Sequence, residues 1–393
     1  MTAKAHRWPL FAGLSTRMNR MARATPQSRE RVVDSARAVA IVVVVLWHWT
    51  LSVTHRAADE SLTMPNPIDD VPWAWAATWV LQVMPMFFLV GGYANLTCWQ
   101  RSRAEGVPSG RLIADRLRRL LIPTAVWAFL WLTYELVSAV APGPHRWIWQ
   151  WFPGYLVPVW FLIVYIPLIV TLPITAAWHN RHPVPVLAAL AGLIALGSLL
   201  GRGLGMSWVE WLTAAVVWVF CHHLGYAWRT FQLGRRPLLQ RSAIAGAGLT
   251  TLIALTVFAQ YPHSMVATTD MESNIFPTNA AIAALAVFQL GLLAVITPPL
   301  ARLLRRPQVW TCVVAVNAVA LTVFLWHMTA YVVVVRIFEG TGHTLLTDPT
   351  AAWWAQRGLW LLAPLAVLLA LIAALAPVES WSRKSRPTPD RNV

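Results

Sequence analysis

Two ionisable residues inside one apolar stretch give this chain its first chemical clue. In RVVDSARAVAIVVVVLWHWT (Arg31–Thr50), Arg37 stands near the start and His48 follows with ten mostly apolar residues between them. An α-helix turns about 100° and rises about 1.5 Å per residue, so His48 returns to within about 20° of Arg37 and lies roughly 16 Å deeper. One helix face thus carries a fixed cation at a membrane surface and a titratable imidazole at depth. An ionisable group inside a membrane helix is costly and by default marks a functional site. A neutral imidazole can take a proton from an attacking group, or accept a transferred group itself. Arg37 alone reads equally as a snorkelling anchor, and Asp34 is placed to pair with it at i,i+3. The face shared with His48 is what gives it a chemical reading.

Two further ionisable residues fall at comparable depth in other apolar runs: His327 in LWHMTAY and Glu135 in LTYELV. Together with His48 they could form one buried polar centre, with Glu135 orienting a histidine and holding its tautomer. Hydrogen bonding between helices as packing glue accounts for the same residues. DRLRRLLIP places Arg116, Arg118 and Arg119 where another run enters the membrane. Guanidinium groups suit phosphate because they stay charged and donate in pairs, although anchoring by the positive-inside rule would also select them. No GxxxxGK[ST] or GxGxxG segment is present, so nucleotide-loop chemistry has no support. His222 and His223 beside Cys221 point about 100° apart on a helix and lack an HExxH context, which reads as structural or interfacial rather than as a metal site. Cys98, Cys221 and Cys312 have no metal-like spacing and suggest no disulfide framework. Glu210 has no assigned role.

The elements that must position these residues are membrane helices. The chain is 57% hydrophobic and only 12% charged, against about 25% charged residues in a soluble domain. The formal charge of +15 invites a nucleic-acid reading, but the basic residues fall in short loops between apolar runs, as membrane topology requires. An all-α polytopic membrane protein with about ten spans follows: 36–54, 73–98, 120–141, 157–178, 184–200, 208–228, 242–260, 280–299, 310–335 and 355–376. The fifth and sixth are the least regular, because Gly201, Gly203 and Gly205 suit a re-entrant turn. With both termini cytoplasmic, 26 of the 31 Lys and Arg lie inside, and Arg56, Arg146, Arg202, Arg336 and Arg357 lie outside. The outer loops collect Asp59, Glu60, Asp69, Asp70, Asp270 and Glu272, and many of the 24 tryptophans sit near span ends as aromatic belts. Residues 1–30 read as a basic cytoplasmic tail, 31–376 as the membrane domain, and 377–393 as a short basic cytoplasmic tail with no appended soluble domain.

Several stretches resemble the acyltransferase-3 family of integral-membrane O-acyltransferases. Arg37 and His48 are similar to its first-span signature. MPMFFLVGGYAN (Met84–Asn95) is similar to its second-span pattern, and RLRRLLIP to its arginine-rich approach to the third span. VWFL (Val159–Leu162) and LWHM (Leu325–Met328) match its Trp-Phe-Leu and late-histidine elements. Gly91 departs from the pattern, since many members place a serine there, so no hydroxyl role is assigned to it. The resemblance implies transfer of an acyl group, often acetyl, from cytosolic acyl-CoA to a hydroxyl of a carbohydrate, glycolipid or other small acceptor at the cell membrane. Acyl-CoA would be a donor substrate rather than a bound cofactor, and no metal is implied. His48 would be catalytic with Arg37 its motif partner, and Arg116, Arg118 and Arg119 would engage the donor. Direct attack by the acceptor and an acyl-enzyme route both stay open. From the residues alone, a proton-coupled transporter using His48, Glu135 and His327 as a relay is the alternative.

Overall fold

The computed structural model describes residues 29–383 apart from 69–70, 142–145 and 268–272, together with 18, 20 and 22–26. Most of the expected N-terminal tail, residues 384–393 and the loop acids Asp69, Asp70, Asp270 and Glu272 therefore lie outside the described residues. Among those described, nine helical segments are long and apolar enough to cross a membrane. The chain is an all-α, multi-pass membrane protein.

The first helix, α1 (Arg31–Thr50), leads into a small antiparallel hairpin, β1 (His55–Arg56) with β2 (Leu62–Thr63). Then come α2 (Trp75–Leu81), α3 (Met84–Ala104) and the long α4 (Ser109–Val140). A short α5 (Ile148–Trp151) precedes α6 (Val157–Val170) and α7 (Leu172–Arg181). Next, α8 (Pro183–Ser198) ends in a π turn over Leu199–Gly203, where the glycines had suggested irregular backbone, and α9 (Ser207–Thr230) follows. The remainder is α10 (Leu238–Phe258), α11 (Ala280–Leu303), α12 (Pro307–Ala318), α13 (Ala320–Gly340), α14 (Ala351–Ala355) and α15 (Arg357–Ser382). The sixth expected span is α9. It is long enough to cross, but it carries Glu210, His222, His223 and Arg229 and packs inside the bundle against α3, α8 and α11.

Three departures from the hydropathy reading shape the site. The second expected span is broken between α2 and α3, where the Gln82 side chain donates to the Met265 carbonyl (2.8 Å) and accepts the Met84 N–H (3.1 Å). The ninth is broken at Val319, between α12 and α13. Pro85, at the second position of α3, marks the first break, because a proline is tolerated in the first turn of a helix but not in its interior. No glycine or proline lies beside Val319, so a continuous apolar run conceals the second. Finally, α15 continues through Ser382, so residues 377–382, read as tail, belong to the last helix.

Helix α1 lies in the middle, in contact with α3, α11, α12, α13 and α15. Beside it, α3 and α9 approach backbone to backbone. A Cβ on Gly92 would lie 1.9 Å from the His222 carbonyl oxygen, and one on Gly225 would lie 1.9 Å from that of Leu89. Small residues at such crossings give membrane helices their van der Waals contact, and Phe88 stacking on Trp218 at 4.4 Å completes this one. Gly225→Leu must separate the two backbones. We expect it to abolish the monodisperse peak in detergent size-exclusion chromatography. Gly110→Leu, where an added Cβ meets nothing within 4 Å, should leave that peak intact.

Candidate active site

The strongest juxtaposition in the bundle joins two residues far apart in sequence. His48, in the last turn of α1, and His327, in α13, have ring centroids 5.4 Å apart with planes inclined by 42°. The helices are tied together there, because Trp49 Nε1 donates to the His327 carbonyl (3.1 Å). One turn further along α13, the Tyr331 hydroxyl and Thr54 Oγ1 share a hydrogen bond of 2.7 Å. His48 is half-buried and His327 fully buried. His327 Nδ1 lies 2.7 Å from the Phe324 carbonyl. A carbonyl can only accept, so Nδ1 carries the proton in that contact and Nε2 keeps its lone pair. Nε2 is buried and has no hydrogen-bond partner among the described residues. A buried, unpartnered base nitrogen with a fixed tautomer is suited to proton transfer.

Arg37 stands at the other end of α1. Its Nε donates to Asn317 Oδ1 (2.5 Å), and a longer contact of 3.5 Å reaches Asp34 Oδ1. Asn317 in turn donates to the Asp34 carbonyl (2.8 Å) and the Val313 carbonyl (3.0 Å). Arg37 is thereby fixed against the end of α12, at the break before α13. The expected pair with Asp34 is present, but the shorter bond is to Asn317, which hydropathy had concealed inside an apolar run.

A cavity of about 420 Å³ opens beside Arg37 and extends to Phe324; neither His48 nor His327 is among its lining residues. Arg29, Arg37, Arg116, Arg119 and Arg383 line it together with Asp34 and Glu379. Deeper in, Ile41, Phe87, Phe161, Tyr165 and Phe324 take over. The rings of Phe87, Phe161 and Phe324 lie 5.4–6.3 Å from one another, and Phe324 is 6.2 Å from His327. The chamber therefore runs from a basic mouth to an aromatic floor, with His327 behind Phe324 and His48 behind His327. Ala318, Ala320 and Leu321 at the helix break also line it, in keeping with the rule that irregular backbone at membrane depth borders a cavity.

Not every predicted residue joins this chamber. Arg116 and Arg119 line it, but Arg118 turns toward Trp381, its guanidinium 5.0 Å from the ring. Arg116 donates to Asn95 Oδ1, and the Asn95 amide is 2.9 Å from His222 Nε2. His222 thus bears on Arg116 through Asn95, while His223 Nδ1 donates to the Val219 carbonyl one turn back (2.9 Å). No group of three or more His, Cys, Asp or Glu suited to a metal is found among the described residues. Glu135 is buried and its Oε1 accepts the Ile148 N–H at the start of α5 (2.8 Å), whereas His327 takes its orientation from Phe324. Gly91 lines the chamber where an added Cβ would lie 2.6 Å from the Tyr165 hydroxyl. Tyr165 brings a hydroxyl to the position that Gly91 leaves vacant.

Glu379 and Arg383 were missed by the sequence reading. Glu379 is buried; its Oε2 accepts from the Thr322 N–H (2.9 Å) and hydroxyl (2.6 Å), while Oε1 is 3.4 Å from the Leu321 nitrogen. These donors belong to the first turn of α13, so a carboxylate from α15 caps the helix that carries His327. Arg383 donates to Glu379 and, at 3.3 Å, to the Asn317 carbonyl freed by the helix break. An acid within four residues of a basic tail was the available signal.

With this geometry in place, comparison with known proteins is specific. A family model described as an acyltransferase domain, that of the acyltransferase-3 family, matches residues 31–378. No curated protein and no solved structure matches the chain. The match covers nearly the whole membrane bundle, and the chain belongs to this family: it is a multi-pass membrane acyltransferase.

Proposed function

We propose that this member of the acyltransferase-3 family moves an acyl group, acetyl in the simplest case, from acyl-CoA to a hydroxyl of a carbohydrate, glycolipid or other small acceptor at the cell membrane. The position of the histidine pair carries this reading: it adjoins the aromatic floor of a chamber whose opposite end is lined with arginines. A phosphorylated thioester donor has matching ends, anionic groups for the mouth and an uncharged arm for the deeper part. The Arg37 end is the cytosolic one, since it gathers the loops that hold 26 of the 31 Lys and Arg. His48 lies at the other end of α1, where an acceptor arrives from the opposite face.

The reaction uses the two imidazoles unequally. The half-buried His48 takes the acceptor's hydroxyl proton as its oxygen attacks the thioester carbonyl carbon. The new C–O bond forms, the C–S bond breaks, and the imidazolium returns the proton to the departing thiolate. His327, its Nδ1–H committed to Phe324, offers Nε2 as a neutral acceptor beside His48 and favours the protonated ring that His48 passes through. Arg37, Arg116 and Arg119 hold the donor's phosphates. Glu135 fixes the loop beyond α4 and takes no part in proton transfer, and Arg118 anchors its helix.

The decisive test is transfer of radiolabelled acetyl from acetyl-CoA in membranes holding the wild type, His48→Ala or Arg37→Ala. Lipid and glycan fractions, protein-bound label and released acetate are counted at equal expression. Label that needs the wild-type protein and disappears in His48→Ala supports the proposal; label indifferent to His48→Ala defeats the catalytic assignment. A companion prediction concerns Asn95→Ala, which removes the group holding Arg116. Loss of one charge-assisted contact of this kind costs roughly tenfold in binding, so the KM for acyl-CoA should rise about tenfold with kcat little changed. A fall in kcat at constant KM would place Asn95 and Arg116 in the chemical step instead.

A further inference from the structure

Arginines at the face opposite Arg37 have no topological reason to be there, because anchoring concentrates cations at the other side. Three of the five meet in one place. Arg56 on β1, Arg146 ahead of α5 and Arg336 in the last two turns of α13 line an open cavity of about 410 Å³, with Tyr134 and Trp151. Arg56 is committed: it pairs through two bonds of 2.8 Å with Glu339 and donates to the Glu60 carbonyl (2.8 Å). Those bonds pin the hairpin onto α13. Arg146 donates to the Asp59 carbonyl (2.6 Å). Arg336 is exposed, lies 4.1 Å over the Trp151 ring, and pairs with no carboxylate among the described residues. A guanidinium resting on an indole keeps its N–H edge available for a carboxylate or phosphate, which it can bind with two parallel bonds.

Arg146 also borders a second recess, of about 550 Å³, with Asp59, Trp149 and Gln150. Trp149 is 49% exposed and is backed by Trp147, the two rings parallel within 8° at a centroid distance of 4.8 Å. The stack makes a rigid plate. Hydrogen bonds from Ser61 hold the Asp59 carboxyl below the usual carboxylate range, so it remains an acceptor for hydroxyl groups. A belt tryptophan needs only the lipid boundary; it needs no carboxylate, amide and guanidinium beside it. An aromatic plate flanked by an acid and an amide suits a sugar ring, whose C–H face stacks while its hydroxyls find polar partners.

We propose that these joined recesses are a docking groove for an acidic saccharide, one ring on Trp149 and its carboxylate or phosphate on Arg336 and Arg146. As the groove's occupant, this saccharide is the acceptor, a statement that rests on the acyl-transfer reading above. Arg336 follows His327 by nine residues on α13, about 14 Å along the axis. The anionic group is therefore bound more than one sugar unit from the reacting hydroxyl, and the groove selects oligosaccharides over monosaccharides.

The test uses the full chain in neutral phosphatidylcholine nanodiscs, with oligogalacturonate as acidic probe and a neutral galacto-oligosaccharide of equal length as its control. Binding is read from intrinsic tryptophan fluorescence and by calorimetry. The wild type should favour the acidic probe about tenfold or more, the value of a bidentate charged contact. Arg336→Ala should remove that preference while leaving the neutral probe bound, Arg336→Lys should restore part of it, and Trp149→Ala should weaken both probes. Acetyl-CoA hydrolysis without acceptor should be unchanged in all three variants, which separates failure of the groove from failure of the acyl-transfer reading. Equal affinity for the two probes, binding of neither, or a preference that survives Arg336→Ala overturns the proposal. So does an Arg336 requirement seen only with phosphatidylglycerol vesicles, which would assign the site to lipid headgroups.

Discussion

His48→Ala is expected to lower acetyl transfer by about 10²–10⁴-fold, the usual contribution of a positioned general base, while acyl-CoA still binds. The separation of effects follows from the distance between the two ends of α1. Arg37, Arg116 and Arg119 are at the mouth of the chamber, roughly 16 Å along the helix from His48, so deletion of the imidazole leaves their contacts with the donor in place. A titration of acyl-CoA against the variant should give a Kd within about threefold of the wild type, alongside the loss in turnover. His327→Gln should follow the same pattern with a smaller loss, because the amide can still occupy the site but cannot exchange a proton. A His48→Ala protein that keeps more than a third of its transfer rate would remove His48 from the reaction. Parallel loss of binding and turnover would instead show that the ring holds α1 against α13.

Glu379→Ala should damage both stability and activity although the residue lies away from the histidines. It leaves the Thr322 N–H, the Thr322 hydroxyl and Arg383 without their common acceptor in a buried setting. Removing one member of a buried charged cluster costs about 3–5 kcal/mol, so we expect a large fall in the detergent melting temperature. Function should fall as well, since the carboxylate holds the first turn of α13, which carries Phe324 and His327 on its second and third turns. Glu379→Gln keeps one carbonyl acceptor and the shape. It should recover much of the stability but not the ion pair with Arg383, so the two variants separate capping from charge. Both melting curves are checked against acetyl transfer. A Glu379→Ala protein with wild-type melting would show that the first turn of α13 is held by packing alone.

Some of the site was legible in the chain because it depends on geometry within one helix. The eleven-residue step from Arg37 to His48 fixes their common face in any α-helix, and the structure places one at the chamber mouth and the other beyond its floor. Helical spacing also bears on the three arginines: Arg116 and Arg119 are i,i+3 neighbours, whereas Arg118 points about 160° away from Arg116 and about 100° away from Arg119. The triplet was read as a unit, and the side chains divide as the spacing requires.

Other features were beyond reach of local pattern. Asn317 lies in an apolar run, where nothing near it indicates that Arg37, 280 residues earlier, will be its partner. Val319 interrupts a stretch with the hydropathy of an unbroken span, and the break is held by Arg383 and Glu379 from a segment that read as tail. Glu135 and His327 share a depth, yet depth is one coordinate out of three, and Glu135 turns to Ile148.

Apolar length and helical period are properties of continuous segments, so the all-α membrane class, the family and the shared face of Arg37 and His48 are legible along the chain. The meeting of His48 with His327, the capping of α13 by Glu379 and the convergence of Arg56, Arg146 and Arg336 emerge only on folding. Those pairings are set by which helix faces pack together. Apolar faces differ little in hydropathy, so their partners are chosen by shape, such as the close approach at Gly92 and Gly225, which local pattern does not record.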